Sequence, residues 1–159
     1  MCIQKGYVKA IRPRGPVLKT LLGDNTKGFG YKTFALTKSG EITSLTLPYT
    51  YKKGVWLEAE PFNKEKDGLY NQGFHLFASF IPKNKWLLET TSAYRLIELF
   101  KKVFSKRVYV IHKVEYQEAT YTGQFDEHFQ KVTKAHDPII VANKIKILEE
   151  VYRYDGRKE

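Results

Sequence analysis

Residues 92–116 read SAYRLIELFKKVFSKRVYVIHKVEY, and a change of period inside them decides the fold class. In the first half Ala93, Leu96, Ile97, Phe100 and Phe104 recur at helical spacing, which gathers them into one apolar stripe. That spacing predicts a helix over 92–105, buried along the stripe. Thr91 or Ser92 stands where a hydroxyl can cap the first turn by accepting from an orphan amide. Lys101, Lys102, Lys106 and Arg107 crowd the other end, where the helix dipole is negative. Over 108–116 the period falls to two, as in a strand at or near the centre of a sheet.

The flanks extend the same pattern. Residues 31–37 alternate weakly and read as a strand, Ser39-Gly40 is a turn signal, and Ile42, Leu45 and Leu47 mark a second run over 41–47. A short strand over 55–60 ends at Pro61, a charged loop fills 62–70, and 73–80 is a compact strand whose four apolar residues require interior on more than one face. Beyond residue 116, a short amphipathic helix is expected over 125–134 and a last strand over 139–148. Strands before and after one main helix indicate an α+β fold, with a mostly antiparallel or mixed sheet of about six strands. The expected division is a basic arm or edge segment over 1–28, where Pro13 and Pro16 oppose a helix, one α+β domain over 29–152, and a loose polar tail over 153–159.

Composition narrows the partners. The chain of 159 residues is long enough for a core, and an aromatic content of 14% argues against disorder of the whole. A formal charge of +10 favours an anionic ligand, nucleic acid or an acidic host protein by long-range attraction, although the same surplus also serves solubility alone. Cys2 is the single cysteine, which rules out an intrachain disulfide and fits a reducing compartment. Basic residues and Pro13 interrupt the first residues before an apolar run develops, so no signal peptide is expected. No apolar stretch reaches membrane-spanning length, and a cytoplasmic location is expected.

Few side chains are placed for chemistry. His75, inside Gly-Phe-His-Leu-Phe, should share a strand face with Phe77, opposite Phe74 and Leu76. It is either a hydrogen-bonded core group or a residue lining a ligand cleft, where its charge could change near neutral pH. Glu58 and Glu60 fall on one side of a strand end and could share a proton or grip a ribose; such pairs more often form a polar rim. The four histidines lack zinc-ligand spacing and one cysteine cannot build a thiolate site, so no metal is expected. Residues 24–30 carry two glycines but neither phosphate-binding fingerprint, and no serine stands in nucleophile context, so no cofactor and no covalent catalysis are expected.

Basic and aromatic residues interleave at Tyr49, Tyr51, Lys52 and Lys53, and again at Arg107, Tyr109 and Lys113. With Arg12 and Arg14 of the arm and Lys106, these lysines and arginines are the candidates for neutralising phosphates. No motif of a named nucleic-acid fold accompanies them.

Residues 30–80 contain a Tyr31-Lys32 opening, a Gly40-x-x-x-Ser44-Leu45 turn, a Gly54-x-Trp56-Leu57-x-Ala59-Glu60 strand end and a Gly73-Phe74-His75 block. In these blocks, about a third of the chain, it resembles a loosely defined group of small phage and prophage proteins. The resemblance implies an accessory protein of the host cytoplasm that binds a phosphate-bearing ligand or a host macromolecule, for example to counteract host defence. The order of strands around the helix is also similar in layout to ADP-ribosyltransferase-like domains. That resemblance implies an alternative, an enzyme using a nicotinamide dinucleotide. Lys32 would stand at the place of the family's first-strand Arg or His, and His75 where a Tyr or Ser would be. The family's glutamate would fall to Glu115, Glu118 or Glu127. A third reading is a charge-driven protein-interaction module. The leading ligand-binding candidates are therefore Lys32, Glu58, Glu60 and His75.

Overall fold

The computed structural model describes residues 12–13, 27–45, 49–59, 74–124 and 137–158. It is an α+β fold whose described strands pair antiparallel throughout. The strands are β1 (Arg12–Pro13), β2 (Gly28–Leu36), β3 (Ile42–Thr43), β4 (Thr50–Tyr51), β5 (Trp56–Glu58), β6 (Phe74–Phe77), β7 (Val108–Gln124) and β8 (Ile139–Asp155). Two helices, α1 (Lys85–Leu88) and α2 (Ser92–Phe100), lie between β6 and β7, and a 3-10 turn covers Gly156–Lys158. The expected short helix over 125–134 lies outside the described residues. None of the described helices is long and apolar enough to cross a membrane.

The sheet closes on itself. β2 pairs with β7 along its whole length and meets β6 at Tyr31↔Phe77, while β8 joins β7 to β6. Closure satisfies strand edges that would otherwise be open. At the tight crossing a Cβ on Gly30 would come to 3.0 Å from the Phe77 carbonyl, so glycine permits the approach. Strand alternation then divides the core in two. Phe34, Leu76, Val110, Val114, Ile140, Ile145 and Ile147 fill the inner face. Ala35, Phe77, Tyr109, Ile111 and Ile139 face outward and are covered by Ala93, Leu96 and Ile97 of α2. Thr33 ties the helix to β2 by donating to the Ala93 carbonyl at 2.8 Å.

Three local expectations are corrected. The helix stops at Phe100 instead of 105; Phe100 is half-buried, and Phe104 leaves the stripe altogether, 48% exposed. Its N-terminus is satisfied from a distance: the Asp137 carboxylate accepts from the Ser92 amide at 2.8 Å and from the Ser92 hydroxyl, while the Thr91 hydroxyl donates to the Leu88 carbonyl instead of capping. The last strand continues to Asp155, so residues 153–155 of the expected loose tail belong to β8, and the 3-10 turn after them docks through Gly156 on the loop before β7. Gly156 donates to the Arg107 carbonyl at 3.0 Å and is so close to the Ser105 carbonyl that a Cβ there would collide with it.

Candidate nucleic-acid interface

Lys32 is fully enclosed on the inner face, where its amine donates to the backbone carbonyl of His75 at 2.9 Å and stands 5.8 Å from the Phe34 ring centre. His75, 2% exposed, shares the outward face of β6 with Phe77, since Phe74 and Leu76 belong to the inner core. The two side chains therefore lie on opposite faces of the wall and do not line a common cleft. Glu58 is on the outer surface of β5, exposed, 3.4 Å from Lys144. Glu60 and Arg14 lie outside the described residues, and Arg12 is the first residue of β1, opposite Gln124. Among the described residues, Lys32, Glu58 and His75 thus do not come together in one cleft.

Directly across β2–β7 from Lys32 stands His112, also enclosed. Its Nδ1 lies 2.8 Å from the Leu148 carbonyl, which assigns the proton of the neutral ring to Nδ1. Burial holds this imidazole below its ordinary pKa, and the nearby Lys53 and Arg153 charges act in the same direction; the Leu148 bond and Glu150 oppose them. An ammonium and a histidine, with Phe34 edge-on to the ring at 5.9 Å, make a polar patch inside an apolar wall. The Lys32 and His112 bonds to main-chain carbonyls are those of buried polar groups held by the fold.

The basic candidates behave differently, because the register assembles them. One row of directly opposed residues crosses five strands: Tyr51↔Ile42, Ile42↔Leu36, Leu36↔Val108 and Val108↔Asp155. Four described segments begin or end on that row. Residues 37–41 turn from β2 to β3, Lys52 and Lys53 follow β4, residues 101–107 lead from α2 into β7, and 156–158 follow β8. These segments carry Lys38, Lys52, Lys53, Lys101, Lys102, Lys106, Arg107, Arg157 and Lys158, with Glu41 as their own carboxylate. Two further carboxylates border them, Glu98 at 2.9 Å from Lys101 and Asp155 at 3.2 Å from Arg157. Among the described residues, nine cations against three anions make this end a basic rim.

Residues 104–107 of the rim are tied to the fold by hydrogen bonds. The Phe104 amide donates to the Phe100 carbonyl at 2.8 Å, and its own carbonyl accepts from the Tyr109 hydroxyl at 2.8 Å. On the other side, Gly156 pins Arg107. Arg107 lays its guanidinium over the Phe104 ring at 5.2 Å, so an exposed aromatic side chain sits among the cations. Val103 beside it is more exposed still.

Lys52, Lys53, Lys106 and Arg107 stand on segments that leave the row from Tyr51 to Asp155, and the Gly54 amide, donating to the Ile147 carbonyl at 3.0 Å, carries the Lys52–Lys53 turn on toward the middle of β8. Of the expected aromatic partners Tyr49 is exposed, whereas Tyr109 is fully buried and Tyr51 packs inside, so those two rings are not available to a ligand. Lys38, Lys101, Lys102, Arg157, Lys158 and Phe104 join these segments without having been candidates. The run Lys101-Lys102-Val103-Phe104-Ser105-Lys106-Arg107 carries the same interleaving and could have been found. Its helical spacing concealed the signal. Neither a protein-family model, nor a curated protein, nor a solved structure matches the chain.

Proposed function

We propose that the protein is a non-enzymatic binding module that takes nucleic acid on its basic rim, through the phosphates and with little preference for sequence. The nine basic residues carried by the segments that leave the row from Tyr51 to Asp155 are the observation behind this reading. Clustered lysines and arginines release condensed counterions from a polyanion, which supplies affinity without base recognition. The resemblance of residues 30–80 to phage and prophage proteins supports an accessory role in the host cytoplasm, where interference with host defence is one purpose such binding serves.

Titration of a labelled oligonucleotide across a salt series tests it. Log K is expected to fall linearly with log salt, by roughly 0.7–0.9 per phosphate neutralised. Binding that is absent at low salt, or indifferent to salt, contradicts the proposal.

A further inference from the structure

Resting on that reading, we propose that the rim selects single strands over duplex because Phe104 offers its ring to an unpaired base. The side chain is 48% exposed although the chain has a buried stripe one helical turn away, so it is not placed there by the core. Its backbone is fixed on both sides by the Phe100 and Tyr109 bonds, which presents the ring at little further ordering cost. The Arg107 guanidinium stands over the ring at 5.2 Å, and Lys102 and Lys106 flank it in sequence, so a base stacked on Phe104 would have its neighbouring phosphates beside cations. Duplexes hide base faces; single strands expose them, and aromatic side chains among basic ones recognise them without reading sequence. The bound species is thus a flexible, unpaired polynucleotide.

The same mixture of cations with exposed Val103 and Phe104 could meet an anionic lipid surface. The stacked arginine favours the nucleobase, because it keeps a charge against the ring that membrane insertion would have to bury.

The experiment compares a labelled oligothymidine, a duplex of equal length and vesicles containing phosphatidylserine, each with the full chain and with Phe104→Ala and Phe104→Leu. The expected result is tighter binding of the single strand than of the duplex at equal salt. Both variants should lose about fivefold or more of single-strand affinity, with an unchanged salt slope and unchanged duplex binding. Phe104→Leu retains apolar bulk without the ring, so a loss in both variants, with melting temperatures preserved, isolates stacking. Equal affinity for single strand and duplex overturns the inference and leaves the electrostatic reading standing, as does insensitivity of oligothymidine binding to both variants. Vesicle binding that depends on Phe104 while oligothymidine binding does not also overturns it. If neither nucleic acid binds at low salt, both readings fail together.

Discussion

At the scale of single residues, the fold depends on a few positions where the ordinary side chain would not fit. Gly156 is one: a methyl group there would meet the Ser105 carbonyl, which is itself part of the loop that carries the rim. Gly156→Ala is expected to destabilise the protein by about 1–3 kcal/mol, as overpacking does, and to weaken oligonucleotide binding by shifting residues 101–107. Denaturant unfolding measures the first effect, and an unchanged midpoint would show that the loop can move aside without loss. His112 gives a pH signature of the same sign as that of a salt-bridged carboxylate, but in the higher window of the imidazole. Its pKa is lowered in the fold, chiefly by burial, so the unfolded chain binds more protons as the pH falls through the ordinary imidazole range near about 6.5. Stability from this site is complete above that range and declines below it until the folded group is itself protonated. His112→Asn, which can still donate to the Leu148 carbonyl, is expected to flatten stability against pH between about pH 7 and 5 relative to the parent. Parallel curves for the two proteins would remove His112 as the cause.

At the scale of elements, the period of side chains was readable wherever a single regular face was buried. Ala93, Leu96 and Ile97 were legible as the core stripe of α2, and their spacing alone places them. Phe104 continued the same arithmetic after the helix had ended, because spacing records where a side chain would point and not whether the backbone still turns. Leu96→Ala should therefore cost about 2–5 kcal/mol, whereas Phe104→Ala should stay within about 1 kcal/mol. Comparable losses at both sites would return Phe104 to the core. The long strands were legible only up to their irregularities. In β7 alternation holds to Tyr116 and then meets Glu118, whose φ of 56° marks the break, with a register shift soon after. In β8 a shift near Glu150 lets Val151 and Tyr152, neighbours in sequence, both pack against the helix-covered cluster, which hides the strand from a period-two reading. The α2 start at Ser92 was legible but its cap was not, because the capping carboxylate, Asp137, is 45 residues away. Asp137→Ala should cost about 0.5–2 kcal/mol in unfolding experiments, and a neutral result would show that water replaces the carboxylate.

At the scale of the whole molecule, charge is distributed by topology. Lys38, Lys102 and Lys158 are ordinary lysines of a turn, a loop and a chain end, and nothing local distinguishes them. They come to leave the sheet from the same row as Lys52, Lys53, Lys106 and Arg107 only because the register aligns Tyr51, Ile42, Leu36, Val108 and Asp155. Lys32 and His75 illustrate the converse: two residues that sequence suggested for one cleft are placed by strand alternation on opposite faces of one wall. The most direct measurement is oligonucleotide affinity against salt for the parent, for Lys102→Gln/Lys106→Gln on the rim, and for Lys83→Gln/Lys85→Gln at the opposite end of α2. The rim pair is expected to bind more weakly at low salt, with the slope of log K against log salt shallower by roughly 1.4 for a single strand, while the distal pair matches the parent. Equal losses in the two double variants, or none in the rim variant, would contradict a localised nucleic-acid surface at this end of the sheet.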